Sequence, residues 1–242
     1  MSVTDRVVLV TGSGWGIGRS IAGHFARDGA AVVVNARTVG DVEDAVAEIT
    51  AAGGTAVGLP ADVSDPGQVE AMFRQARREL GPVEILVNNA GIPGPAAFAQ
   101  NVTADEFLAV LKINLWGTFL CSKFALPAMI ENGWGRIMTM TGAGAGRPYR
   151  GALPYASSKA GIEGLTRNLA EEVARFGITS NCIAPGRVDT RGFALARSPG
   201  GPELSAVPPD MAAKLAVWLA SDEASSVNGQ TISAPEWEQP SS

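Results

Sequence analysis

Residues 6–18 read RVVLVTGSGWGIG. Arg6 to Thr11 is a short run rich in β-branched apolar residues, the composition of a strand, and it passes directly into glycines at 12, 16 and 18. Ile17 to Arg27 follows with helical spacing. A strand, a tight glycine turn and a helix start in that order suit a phosphate-rich ligand. The turn lets the backbone approach, and the unpaired N–H groups of the first helical turn face the anion. On this reading Gly12, Ser13, Trp15, Gly16, Ile17 and Gly18 line the pyrophosphate of a dinucleotide. Without the flanking strand and helix, the same glycines would signal no more than a turn.

Outward from this loop, strand-like and helix-like segments alternate to the end of the chain. Further strands are expected at Ala31–Asn35, Thr55–Pro60, Glu84–Asn88, Arg136–Thr141, Thr179–Ala184 and Gln230–Ser233. Helices are expected at Val42–Ala52, Gly67–Leu80, Ala104–Leu111, Leu115–Asn132, Tyr155–Phe176 and Pro209–Ser221. Pro154 suits a first helical turn, where its missing N–H leaves nothing unpaired. Strands that are continuous apolar runs are buried on both faces, and helices between them imply right-handed crossovers. The expectation is an α/β fold: one doubly wound domain over residues 1–242, a parallel sheet with helices on both faces. Residues 187–208 are rich in Gly, Pro and Ser and break this rhythm, as a flap over a site would.

The bulk numbers narrow the function. The 242 residues carry a net charge of −5 and no basic block, so nucleic acid is not an expected partner. His24 is the only histidine, which argues against a histidine-based metal site or a Ser-His-Asp triad, and no metal is expected. Cys121 and Cys182 lie in apolar stretches and read as reduced core residues. Met1–Asp5 has no signal-peptide pattern, and the apolar window Ile113–Ile130 is interrupted by Asn114, Lys123 and Pro127. A cytoplasmic enzyme with a small-molecule substrate, no nucleic acid and no membrane is expected.

Tyr155 and Lys159 stand four residues apart at the head of the longest predicted helix, so both side chains point into one cleft. An ammonium beside a phenol stabilises the phenolate and lowers its pKa from about 10. A tyrosine so placed can trade a proton with a carbonyl or alcohol oxygen near neutral pH.

The loop spacing TGxxxGxG (11–18) and the YxxxK (155–159), together with Asn88-Asn89-Ala90-Gly91 and Pro185-Gly186-Arg187-Val188-Asp189-Thr190, resemble the short-chain dehydrogenase/reductase family over nearly the whole chain. That resemblance implies a seven-stranded Rossmann-type sheet in the order 3-2-1-4-5-6-7 and an NAD(P)-dependent interconversion of ketone and secondary alcohol. It implies catalytic roles for Tyr155, Lys159 and Asn114, the last also readable as a helix cap or kink. It implies cofactor contacts from Asp62, Val63, Asn88, Ala90, Gly91, Tyr155, Lys159, Pro185, Gly186, Val188 and Thr190. The Asn88-Asn89-Ala90-Gly91 stretch could equally have a structural role, holding the central sheet. Pairing through the two long helices into a homodimer or homotetramer is also implied.

Two positions depart from the family pattern. No acid stands at Ala36, where one would select NAD; Arg37 follows, and a guanidinium suits a phosphate, so NADP is favoured, NAD remaining an alternative. Arg37 has a second reading as a solvated surface residue. The serine that the family places thirteen residues before its tyrosine is Gly142 here. Thr141 is the expected substitute, or else simply a strand end, with Ser157 and Ser158 poorer candidates. Two competing readings follow: a cofactor-binding protein with weak or no redox activity, and a non-redox catalyst on the same fold. Tyr149, Phe193 and Trp237 are aromatic candidates for the pocket, though core or interface packing suits each.

Overall fold

The structure is a computed structural model that describes residues 3–142, 148, 150–188 and 207–237. Its strands are β1 (Val7–Val10), β2 (Ala31–Val34), β3 (Thr55–Gly58), β4 (Ile85–Asn88), β5 (Gly135–Met140), β6 (Ile178–Ala184) and β7 (Thr231–Ser233). They form one sheet of seven strands in the order β3-β2-β1-β4-β5-β6-β7, every adjacent pair parallel. The order is the expected one. It reverses direction between β1 and β4, the crevice where doubly wound folds bind ligands at the C-terminal strand ends.

The helices among the described residues are α1 (Gly16–Arg27), α2 (Val39–Ala51), α3 (Pro66–Glu79), α4 (Ala104–Leu111), α5 (Gly117–Asn132), α6 (Leu153–Val173) and α7 (Pro209–Ala220). Alternate strand residues feed two cores, as a strand's two-residue period requires. Val8, Val10, Val32, Val34, Met138 and Ile183 meet Ile21 and Phe25 of α1, Val42 of α2 and Leu215 of α7 on one face. Val7, Leu9, Leu86, Ile137 and Ile178 meet Val69 and Phe73 of α3, and Leu120 and Met129 of α5, on the other. Trp237 packs against Trp218 with the rings tilted and their centres 5.6 Å apart, and it joins the first core, so packing is its role.

The sequence expects two helices broken near Lys112. The structure joins them through a π-helical turn, Lys112–Trp116, with Asn114 wholly buried inside it. Such a turn widens the helix by one residue and redirects the side chains that follow. α6 begins two residues ahead of Tyr155, with Pro154 in its first turn as expected.

Candidate active site

The phosphate loop is made by backbone that only glycine permits. Gly12 and Gly16 have φ of +63° and +61°. A Cβ on Gly12 would lie 2.8 Å from Ala90 Cα, and one on Gly18 would lie 2.4 Å from Asn89 Nδ2 and 2.5 Å from the Gly12 carbonyl oxygen. The loop is therefore pressed onto the end of β4. Asn89 is the brace: its amide donates to the carbonyls of Thr11 (3.0 Å) and Gly12 (2.9 Å). Thr11 returns the contact, its hydroxyl accepting from Asn89 N–H at 3.0 Å and Ala90 N–H at 3.1 Å. Sequence reasoning placed Thr11 and Asn89 within two motifs but not the bonds between them, because nothing local marks a residue whose partner is nearly eighty positions away.

Side chains complete the N-termini of α3 and α4. Asp65 accepts from Gly67 and Gln68 N–H, and Thr103 forms a reciprocal capping box with Glu106. α1, like α6, lacks such a cap: its N-cap is Trp15, which makes no side-chain capping bond, and its first turn holds no acid. Uncapped N–H groups and glycine backbone fit the pyrophosphate of a dinucleotide, with Asp41 standing beside the loop at Gly14.

The other positions expected at the cofactor fall into two kinds. Ser13 is wholly buried: its N–H donates to Asn35 O (2.8 Å) and its hydroxyl to Val10 O (2.7 Å), which ties the loop to β1 and β2. Asn88 is buried and donates to Ser122 Oγ of α5 at 3.2 Å. Both side chains are thus engaged within the protein. Asp62 accepts from the N–H and hydroxyl of Ser64, each at 2.8 Å, and Val63 is buried where Gly117 opens α5. Arg37 is exposed just beyond the end of β2. Gly91 sits by Asn114 Oδ1, which a Cβ there would approach to 3.2 Å. Pro185 and Gly186 follow β6, Gly186 with φ +76° and Pro235 closing against it. Val188 pairs with Val207, so both ends of the expected flap meet. Thr190, Tyr149, Phe193 and residues 189–206 of that flap lie outside the described residues.

The catalytic candidates converge at the C-terminal end of β5. Tyr155 is half-buried, and Lys159 is 5 % exposed with Nζ donating to Met140 O at 2.7 Å. Nζ also lies 5.5 Å from the centre of the Tyr155 ring, within cation–π range. Burial pushes the Lys159 pKa down to about 8, a fall that the neighbouring Cys182 thiol opposes. Asn114 donates to Ile92 O (3.0 Å) and Ser158 Oγ (3.0 Å) and accepts from Ile92 N–H (2.8 Å). Ser158 in turn donates to Tyr155 O at 2.7 Å. Asn114 therefore ties the loop after β4 to the first turn of α6, and Ser158 is a link in that tie, not a group free to meet a substrate.

Thr141 departs from expectation. Its hydroxyl does not turn to Tyr155 but donates to Glu163 Oε1 at 3.2 Å, two helical turns further along α6. The residue against Tyr155 is Gly142: a Cβ there would stand 2.6 Å from the Tyr155 hydroxyl oxygen. The physical reason is alternation. Consecutive residues at a strand end point opposite ways, so a hydroxyl one place early faces a different neighbour.

The family model described as short chain dehydrogenase matches residues 6–199. The chain is 38% identical over 245 residues to (2S)-((R)-hydroxy(phenyl)methyl)succinyl-CoA dehydrogenase subunit BbsD of Thauera aromatica, with 96% of each chain covered. It is 36% identical over 242 residues to the 3-oxoacyl-(acyl-carrier-protein) reductase FabG of Salmonella typhimurium, again with 96% of each covered. Among solved structures, an actinorhodin polyketide ketoreductase with NADPH superposes with a TM-score of 0.90 at 33% identity, over 96% of this chain and 97% of that one. With its parallel sheet, glycine loop and tyrosine–lysine pair, the chain belongs to the short-chain dehydrogenase family, as an NAD(P)-dependent oxidoreductase of alcohol/carbonyl pairs.

Proposed function

We propose that the chain is an NADPH-preferring enzyme that interconverts a ketone and a secondary alcohol, with Tyr155 as general acid and base. The observation that carries this reading is the Tyr155–Lys159 pair: one helix face, a buried ammonium 2.7 Å from Met140 O, and that ammonium near the phenol ring. Lys159, with its pKa lowered to about 8, is still mostly cationic at neutral pH and favours the Tyr155 phenolate. In reduction the Tyr155 hydroxyl donates its proton to the carbonyl oxygen. In oxidation the phenolate takes the alcohol proton. The bound nicotinamide supplies or accepts the hydride. Asn114 holds the first turn of α6 in place through Ser158.

Arg37, exposed beyond β2 with Ala36 before it, is proposed to hold the 2′-phosphate of NADPH. Relatives support this: one is named an NADPH-dependent aldehyde reductase-like protein of Arabidopsis thaliana, and the ketoreductase structure contains NADPH. The same reading gives Gly12, Gly16, Ile17 and Gly18 the pyrophosphate, Asp62 and Val63 the adenine, and Pro185, Gly186, Val188 and Thr190 the nicotinamide end. It makes residues 1–242 one domain in a cytoplasmic homodimer or homotetramer. Buried unpaired Cys121 and Cys182 suit a reducing compartment. Leu108, Trp116, Phe119 and Ile130 are exposed along α4, the π-helical turn and α5, which suits a self-association face.

Tyr155→Phe is the test. NADPH binding, followed by nicotinamide fluorescence, should persist, while NADPH oxidation with acetoacetyl-CoA or other ketones falls by about a hundredfold or more. Turnover at the wild-type rate would overturn the assignment. Arg37→Ala should weaken NADPH more than NADH. A second reading, a nicotinamide-binding protein with weak or no redox activity, draws on Gly142 and on the Thr141 hydroxyl being turned to Glu163. Tight NADPH binding without turnover of any carbonyl by the wild type would favour it.

A further inference from the structure

Three consecutive residues at the end of β5 meet three residues spaced by four along one face of α6. Met140 O accepts from Lys159 Nζ at 2.7 Å. The Thr141 hydroxyl donates to Glu163 Oε1 at 3.2 Å. Gly142 lies against the Tyr155 hydroxyl, so close that a Cβ would be 2.6 Å from it. Two of these three contacts define the surroundings of the proton donor; the middle one joins them.

The sheet does not secure this strand end by itself. Pairing of β5 with β4 ends at Thr139, and pairing with β6 ends at Met140. Beyond Met140, the Thr141 N–H donates to Ile183 O at 2.9 Å, a bond on one side only. Toward α6, the bond to Glu163 is what holds Thr141. It is buried at the threonine end, where Thr141 is 3 % exposed. A small rotation of the strand end about the Ile183 bond would carry the Met140 carbonyl off Lys159 and the Gly142 backbone off Tyr155 together.

We propose that Thr141 and Glu163 form a positioning pair that seats Tyr155 and Lys159 through the strand end between them. The proposal rests on the reading of Tyr155 as the proton donor. It gives the pair no contact with substrate. The titratable groups on this face are Lys159 and Glu163 of α6 and Cys182 of β6, whose thiol is kept neutral by burial and donates to Thr166 Oγ1 at 3.2 Å.

The test reads the seat directly, through ionisation of the Tyr155 phenol in the near-ultraviolet with saturating NADP⁺. The chain has two tyrosines, Tyr149 and Tyr155, so Tyr155→Phe supplies the baseline. Two comparisons isolate the bond. Thr141→Val loses it and Thr141→Ser keeps it, both with Glu163 charged. Glu163→Leu loses it and Glu163→Gln keeps an acceptor, both without charge. Tyr155 should ionise about one pH unit higher in the first member of each pair than in the second, the equivalent of one hydrogen bond. Turnover of acetoacetyl-CoA should fall about tenfold in kcat, with KM little changed, in the same two variants. Coincident Tyr155 titrations within either pair, in folded variants, overturn the proposal. Wild-type protein without turnover, but with the titrations separated as stated, sinks the oxidoreductase reading and leaves the positioning pair standing.

Discussion

Lys159 is a charge held out of water, and its removal has a signature that can be worked out in advance. Burial lowers its pKa from 10.5 to about 8. At roughly 1.4 kcal/mol per unit, the folded state is disfavoured by about 3 kcal/mol wherever both states are protonated. The sign follows from proton counts. Between the two pKa values the unfolded chain binds the proton and the folded chain does not, so this group's penalty fades as pH rises from about 8 to about 10.5. Lys159→Met removes the titration and loses the bond to Met140 O, a loss that does not depend on pH. The stability of wild type minus that of Lys159→Met should therefore climb by roughly 2–3 kcal/mol between about pH 7 and pH 10. Urea unfolding of the cofactor-free proteins, followed by tryptophan fluorescence, gives the difference at each pH. A Tyr155→Phe background for both proteins removes the coupled phenol. Parallel stability curves across that window, or a difference that falls, would refute the claim that the ammonium is kept in a desolvated site.

The remaining predictions concern glycines. Gly142→Ser, which restores the hydroxyl usual in the family, should lower kcat by about tenfold or more instead of raising it, since the new Cβ occupies the space of the Tyr155 hydroxyl; a gain in NADPH oxidation rate would show that Tyr155 has room to retreat. Gly18→Ala pushes a methyl into Asn89 Nδ2 and the Gly12 carbonyl, so NADPH affinity should drop at least about tenfold and stability by about 1–3 kcal/mol, checked by fluorescence titration and thermal unfolding.

The sheet was readable because its strands announce themselves. Val7–Val10 and Ala31–Val34 are apolar on both faces, a pattern few other local structures share. Tyr155 and Lys159 were readable because a four-residue spacing on a helix fixes their common direction before any tertiary contact is known. The rest depends on such contacts. The π-helical turn at Lys112–Trp116 carries no compositional mark, since the break near Asn114 reads equally as a cap. Asn89 and Thr11 owe their roles to partners on other strands. The Thr141 hydroxyl turns to Glu163 and not to Tyr155 for a geometric reason. Sequence distance from Tyr155 differed by one residue, and on a strand one residue is a change of face.

α1 is a helix that its own chain leaves open at the start. Trp15 offers no hydrogen-bond acceptor, whereas Asp65 and Thr103 finish α3 and α4. On the proposed reading, the dinucleotide would supply that acceptor as a removable helix cap. Fraying of Gly16–Gly18 is then linked to cofactor concentration, and the protein's resistance to unfolding rises with the logarithm of that concentration above Kd. Cofactor supply would then set the protein's resistance to unfolding and, with it, its lifetime against proteolysis.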